Sequence, residues 1–211
     1  MGKPIIPQTL TPHQLSMSVE DGMLFDSLAH EALLSAADKE IFVFQWLTAL
    51  EKTVIGYNKT DLKKIQPKVT LNLQERLKAG HGPPNRRLLS NAFAVIYLNG
   101  DSYTMYDTIS ICLDLLKTKN DSPSYTNVRL GSVEILGCLY ERLGRTAGGT
   151  FPDSLTALIK LQRGSDVATR CAALFSMRQM IVGLQNSASY GFKDMSKSFK
   201  SAMCDKNMEI R

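Results

Sequence analysis

Apolar residues recur at helical spacing along most of this chain, and the alternation typical of strands is hard to find. One stripe follows the i, i+3, i+4, i+7, i+11 pattern of a single buried helical face within residues 38–58. Its members are Val43, Trp46, Leu47, Leu50 and Val54. We interpret Trp46, the only tryptophan, as a core anchor rather than as a platform for a ligand. The pattern therefore predicts an all-α fold.

The first part of the chain predicts three helices. The first runs from about Ser18 to Ala36, and Asp38 is a candidate cap for the second. An antiparallel partner extends from Lys59 to Ala79 and ends at Gly80. Pro67 lies within that partner, so either the helix kinks there or two short helices meet.

Proline- and glycine-rich breaks separate the later helices. Pro83 and Pro84 suit a helix start, and Asn99-Gly100-Asp101 reads as a turn. The stretch 128–143 is apolar almost all round, which predicts burial between neighbours. Three more helices are marked by apolar lines: Tyr106, Ile109, Ser110, Leu113 and Leu116; Leu155, Leu158 and Ile159; and Phe192, Met195, Phe199 and Met203.

Arginines mark an internal repeat. Arg87, Arg129, Arg170 and Arg211 are separated by 42, 41 and 41 residues, by subtraction of their numbers. Three of them open similar apolar segments: RRLLSNAFAVIYL, VRLGSVEILGCLY and TRCAALFSMRQMI. A period near 40 with two helices per unit is typical of HEAT and armadillo proteins, so we predict an α-solenoid of about four antiparallel helix pairs.

The repeat fixes the predicted domain organisation. Residues 1–16, with three prolines, are expected to form a flexible extension, and residues 17–211 the solenoid. The predicted repeats are 38–79, 83–117, 126–162 and 165–204. Residues 205–211 resemble the start of a further repeat, so we expect a longer array and a higher melting temperature on extension.

Particular side chains are expected to hold neighbouring repeats together. The repeated arginines are predicted to bond an acid or a carbonyl of the adjacent repeat. Small residues are expected to let neighbouring helices approach closely: Gly131, Ser132, Ala172 and Ala173.

Charge narrows the classes of partner. The chain has 25 basic and 20 acidic residues, a net charge of +5. This excess is mild for a nucleic-acid binder, which would cluster its cations beside exposed aromatic residues. It suits ordinary solubility and, weakly, an acidic protein or an anionic membrane surface.

The cysteines give no sign of a metal site or a disulfide framework. Cys112, Cys138, Cys171 and Cys204 are widely spaced, and the only histidines are His13, His30 and His81. Zinc sites need more closely spaced ligands. We expect buried, reduced thiols and a reducing compartment, with neither a metal nor a cofactor.

The search for catalytic motifs likewise favours binding over chemistry. The nucleophile-elbow, zinc-protease, P-loop and dinucleotide-binding motifs are missing from the sequence. Lys193, Lys197 and Lys200 share one predicted helical face, and a second basic group comprises Lys59, Lys63, Lys64 and Lys68. Either group is a solvated helix face or a contact for an anionic surface or an acidic peptide.

Longer strings carry a family resemblance. Segments 41–66, 82–112 and 140–155 contain an FxWL pattern followed by KTD, GPP before a basic pair, and YERLGR before FP. They resemble the N-terminal region of the HEAT repeat-containing protein 5 family, from about Leu33 to the end of the chain. The resemblance implies a large cytosolic HEAT solenoid without catalytic residues. It also implies association with the clathrin adaptor complex AP-1 at the trans-Golgi network and endosomes.

The resemblance further implies roles in endocytosis and endosome-to-Golgi retrieval, with motor or other trafficking proteins as partners. Neither nucleic acid nor a small-molecule substrate is expected. Two alternatives remain open: a peripheral membrane-binding module that uses the basic face at 193–200, and a purely structural solenoid segment.

Overall fold

The computed structural model describes residues 27–120 and 122–211, apart from the side chains of residues 27, 29 and 30, and these residues are all-α. The described part contains nine α-helices: α1 (Ser27–Ala32), α2 (Ala36–Gly56), α3 (Lys59–Ala79), α4 (Pro83–Asn99), α5 (Met105–Lys117), α6 (Pro123–Leu143), α7 (Phe151–Gln162), α8 (Val167–Leu184) and α9 (Phe192–Met203). Three 3₁₀ segments join some of them: Ser102–Thr104, Gly144–Thr150 and Gln185–Gly191. The predicted extension 1–16 and the start of the predicted first helix lie outside the described residues.

The chain divides into two compact units, of which the first ends at Ser102 and the second begins at Tyr103. This boundary falls inside the predicted repeat 83–117. In the first unit α1 contacts α2, and α2 and α3 both pack against α4. In the second unit α6 packs against both α5 and α8, and α7 contacts α5, α8 and α9.

The predicted stripe on α2 is confirmed as core, since Val43, Trp46, Leu47, Leu50 and Val54 are all buried. The predicted helix cap is wrong by three residues. Ser35 is the cap, and its hydroxyl oxygen accepts a hydrogen bond from the Asp38 amide at 3.3 Å. The serine hydroxyl also donates to the Asp38 carboxylate at 2.6 Å. This reciprocal pairing satisfies amide groups that a helix start leaves without partners.

Helix α3 is continuous through Pro67, so the alternative of two short helices is wrong. Gly80 ends this helix in the left-handed conformation, as a glycine cap allows. Both prolines at the start of α4 occupy its first turn, as predicted, where a missing N–H costs little.

Buried Gln66 of α3 holds the chain just after α4. Its side-chain amide donates to the Asp101 carbonyl at 2.8 Å and accepts from the Asp101 N–H at 2.7 Å. A Cβ on Gly100 would lie 2.2 Å from the Gln66 side-chain oxygen, so the close approach requires glycine.

The second unit repeats its own architecture at an interval of 41 residues. Adding 41 to the end of α6 gives the end of α8, and the same shift converts the following 3₁₀ segment and α7 into the next 3₁₀ segment and α9. The caps agree as well: Gly144 has φ 54° and ψ −124°, and Gln185 has φ 51° and ψ −127°. The arginine spacing thus matches a recurrence in the structure of this unit.

Helices α6 and α8 pack closely because glycines lie at their contact. A Cβ on Gly183 would lie 1.8 Å from the Tyr140 carbonyl oxygen, and a Cβ on Gly137 would lie 2.2 Å from Oε1 of Gln179. Among the small residues named from the sequence, Gly131, Ser132 and Ala173 are buried and Ala172 is half-buried. Close packing was therefore predicted, whereas its two tightest points were not.

The expected burial of all four cysteines is corrected by the structure. Cys112 is buried, Cys138 and Cys171 are half-buried, and Cys204 is exposed, all as free thiols. Cys204 follows the last residue of α9 and so lies outside the packed face of that helix. Among the described helices, none combines the length and apolar character needed to cross a bilayer.

Candidate protein-docking groove

A groove of about 870 Å³ lies in the second unit among α5, α6, α7 and the turn that leads into α8. Its walls mix apolar and polar side chains from all these elements: Ser110, Leu113, Asp114, Leu116, Lys117, Thr126, Arg129, Asp153, Thr156, Ala157, Lys160, Leu161, Gly164, Ser165, Asp166 and Thr169. We call this surface the α5–α7 groove. Its size and open, partly apolar lining suit a segment of a partner protein.

The α5–α7 groove owes its apolar part to a helix face that the sequence pattern assigned to the core. The line through Tyr106, Ile109, Ser110, Leu113 and Leu116 is buried only at Ile109. The buried face of α5 is rotated from that line and consists of Met105, Thr108, Ile109 and Cys112. The rotation leaves half-buried Leu113 and Leu116 in the groove wall.

Helix α9 shows a similar displacement of its predicted face. Of its predicted line, Met195 is buried and Phe199 is half-buried, whereas Phe192 is 44% and Met203 71% exposed. Ser198 and Ala202 complete the buried face of this helix. The apolar ends of α9 therefore remain on the surface.

The charges of the α5–α7 groove are balanced, with three acids and three bases. The acids are Asp114, Asp153 and Asp166, and the bases are Lys117, Arg129 and Lys160. Nζ of Lys117 lies 2.8 Å from the Asp114 carboxylate. Such exposed pairs stabilise little, so they remain available to a partner.

Asp166 caps α8 at one end of the α5–α7 groove. Its carboxylate accepts hydrogen bonds from the Thr169 hydroxyl and from the Thr169 amide, the latter at 3.0 Å. The Thr169 side-chain bond lowers the pKa of Asp166, aided by backbone amides and the charge of Arg129 and opposed by burial. Asp166 is thus held as an anion at the groove margin near neutral pH.

A second, smaller cleft of about 390 Å³ lies between α7 and α9 and shares Thr156 and Lys160 with the α5–α7 groove. We call it the α7–α9 cleft. Its other walls are Ile159, Arg163, Asp194 and Lys197. Of the three lysines predicted as an anionic-surface contact, Lys193, Lys197 and Lys200 are all exposed, and Lys197 lines this cleft.

The repeated arginines lie in different surroundings. Arg87 is exposed, and the neighbouring buried residue Arg86 donates to the His81 carbonyl at 3.3 Å. Arg129 donates to the Asn120 carbonyl at 2.8 Å. These two bonds reach the connector that precedes each helix.

The last two repeat positions meet at one aspartate. Arg170 donates through Nε to the Gln162 carbonyl at 3.1 Å and forms an ion pair with Asp205. Exposed Arg211 donates to the Asp205 carbonyl at 2.5 Å. Arg170 therefore links the end of α7 to the segment that follows α9.

A polar cluster in the first unit was not predicted from the sequence. Oε1 of Glu40 lies 2.9 Å from Nδ1 of buried His81, and Nδ2 of Asn85 donates to Oε2 of Glu40 at 2.7 Å. Burial opposes ionisation of Glu40, but His81, Asn85 and the Gly82 backbone lower its pKa overall. These contacts tie α2 to the start of α4, and a separation of 41 residues between Glu40 and His81 gave no local signal of the pairing.

Within the described residues, no group of three or more histidine, cysteine, aspartate or glutamate side chains is arranged to hold a metal ion. Comparison of the chain with protein-family models gave no match, and comparison with solved structures gave none either. The candidate site is therefore interpreted from its own geometry.

Proposed function

We propose that this chain is a non-enzymatic α-solenoid scaffold that presents the α5–α7 groove to protein partners. The observation that carries the proposal is the 41-residue recurrence of helix, 3₁₀ segment and helix in the second unit. Stacked repeats of this kind create extended surfaces that bind other proteins. In the proposal the array comprises about four antiparallel helix pairs, with one pair per repeat.

The exposed face of α8 supports the stacked arrangement. The residues of α6 at the contact with α8 include Gly137, Tyr140 and Glu141. Adding 41 to these numbers gives Arg178, Ile181 and Val182 on α8, of which Val182 is 52% exposed. Beside them Phe175 is 55% exposed. A stacking face at each repeat explains why this side of α8 is apolar.

The resemblance to the HEAT repeat-containing protein 5 family gives the proposal its cellular setting. We place the chain in intracellular vesicle traffic, as a peripheral component at the trans-Golgi network, endosomes and endocytic vesicles. Its proposed partners are the AP-1 adaptor and associated trafficking or motor proteins, in endocytosis and endosome-to-Golgi retrieval. Cofactors, nucleic acid and small-molecule substrates have no part in the proposal.

The test is affinity purification from cell extract with the full chain as bait. The groove variant carries Ser110→Arg and Thr156→Arg, which place bulky side chains at two exposed positions of the α5–α7 groove. A matched control carries Thr60→Arg and Ser201→Arg, at exposed positions outside it. We expect adaptor or motor subunits with the natural chain and the control, but not with the groove variant.

Failure of the natural chain to recover any adaptor or motor subunit would contradict the proposed function and favour a purely structural segment. Equal recovery by the groove variant and the control would keep the function but move the docking surface away from the groove.

A second candidate function is direct membrane association through α9. Lys193, Lys197 and Lys200 are exposed, and Phe192 at the start of the same helix is partly exposed. Cations beside an exposed aromatic residue suit an anionic lipid surface. Co-sedimentation with anionic liposomes that is lost on Lys193→Glu with Lys197→Glu would support this candidate, and no pelleting at low salt would eliminate it.

A further inference from the structure

The α7–α9 cleft differs in charge from the neighbouring α5–α7 groove. Its α7 wall consists of Thr156, Ile159, Lys160 and Arg163, at the i, i+3, i+4, i+7 spacing of one helical face. Its α9 wall consists of Asp194 and Lys197. Three cations thus face one acid, whereas the groove has equal numbers of each.

Flanking residues extend this excess of positive charge. Lys193 and Lys200 lie four residues before and three residues after Lys197, so they share its face of α9. Both are exposed, as are Lys160 and Arg163. The cleft and its flank therefore carry five cations. The one acid in the cleft, Asp194, lies 3.7 Å from Lys197 and neutralises only part of that charge.

We propose that the α7–α9 cleft docks an acidic segment of a partner protein, a short stretch rich in aspartate and glutamate that contains one apolar side chain. Ile159 is half-buried among the basic residues and supplies the contact for that side chain. This inference rests on the proposed scaffold function and adds the chemistry of one partner. Complementary charge mainly raises the association rate and the specificity of such a contact.

The shape of the surface favours a peptide over a lipid bilayer. The cations come from two helices that flank a cleft of about 390 Å³. A bilayer meets a protein most readily through an outward face whose apolar side chains insert into the lipid. Ile159 is instead a wall residue of the cleft, where an inserted side chain can reach it.

The test measures binding of fluorescein-labelled peptides to the full chain by anisotropy at low salt. The probe is a peptide of about twelve residues that alternates aspartate and glutamate around one central leucine, and the control peptide replaces the acids with asparagine and glutamine. The cleft variant carries Lys160→Glu and Lys197→Glu. Its matched control carries Lys63→Glu and Lys68→Glu, two exposed positions on α3 with the same change of net charge.

We expect the acidic probe to bind the natural chain and the α3 control within about twofold of each other, and the cleft variant about tenfold more weakly. The neutral peptide should not bind. Equal weakening by both variants would overturn the proposal, because binding would then follow net charge alone. Circular dichroism melts establish that both variants remain folded.

Vesicles provide the second arm of the experiment. If vesicles with about one third phosphatidylserine bind the chain and the cleft variant abolishes it, while the acidic peptide does not bind, the surface is a lipid contact and the proposal is wrong. Affinity purification with the cleft variant separates this inference from the function on which it rests. Recovery of adaptor subunits without peptide binding would leave the scaffold function and reject the acidic partner.

Discussion

The guanidinium carbon of Arg76 lies 3.9 Å from the centre of the Trp46 ring, and both side chains are fully buried. Nη2 of the same arginine lies 3.0 Å from the carboxylate of Glu31 in α1. Burial lowers the pKa of Arg76 to about 10, with the Glu31 charge opposing that shift. Arg76 therefore stays protonated near neutral pH and joins three helices of the first unit through one charge.

Replacement of Arg76 with methionine is expected to destabilise the protein by about 3–5 kcal/mol, because Glu31 keeps its buried charge without a partner. Urea unfolding followed by tryptophan fluorescence measures this directly, since Trp46 is the only tryptophan. The double variant Arg76→Met with Glu31→Gln should recover part of the loss. A single-variant effect below about 1 kcal/mol would show that the buried pair contributes little to stability.

Gly183→Ala should separate α6 from α8. The new methyl group would lie 1.8 Å from the Tyr140 carbonyl, and backbone cannot move aside as a side chain can. We expect a loss of about 1–3 kcal/mol in the free energy of unfolding, despite the higher helix propensity of alanine. Gly148→Ala is the control, because its Cβ would meet only Leu184 at an ordinary 3.6 Å. Equal melting temperatures for the two variants would argue against close packing at this point.

Asp166→Ala should cost about 1 kcal/mol of stability at pH 7, since it removes the cap of α8. The lowered pKa means that this contribution is present above the unfolded value of about 3.9 and is lost as pH falls through the folded pKa. The difference between the natural chain and the variant should therefore shrink in acid. Asp166→Asn, which retains a capping oxygen, is the control in urea titrations at both pH values. A difference that grows in acid would contradict the assignment.

The four thiols should react with a maleimide in an order set by burial. Exposed Cys204 is expected to react first and Cys112 only after unfolding, since burial raises the pKa of Cys112 to about 12. Thiolate is the reactive form, so a raised pKa slows the reaction further. Mass spectrometry of labelled peptides over time measures the order, and Cys204→Ser should remove the fastest event. Early labelling of Cys112 would show that the α5 core opens readily.

Local sequence signals were sufficient where one helix decides the outcome by itself. The buried stripe of α2 and the proline entry of α4 follow from spacing and backbone chemistry within a few residues. The cap of α2 was missed because Ser35 and Asp38 form one reciprocal pair, and the sequence analysis considered only the second member. For α5, apolar residues extend around much of the helix, so periodicity alone could not select the buried face.

The sequence by itself determined the all-α class, most helix positions and the 41-residue interval, because each depends on contacts that recur at fixed separations along the chain. Only the tertiary structure decided that Arg76 meets Trp46 and Glu31, and that Leu113 and Leu116 line the α5–α7 groove. The physical reason is that packing chooses among several apolar faces by the shape of neighbouring helices. That shape depends on residues far away in the sequence, such as the close contact of Gly183 with Tyr140.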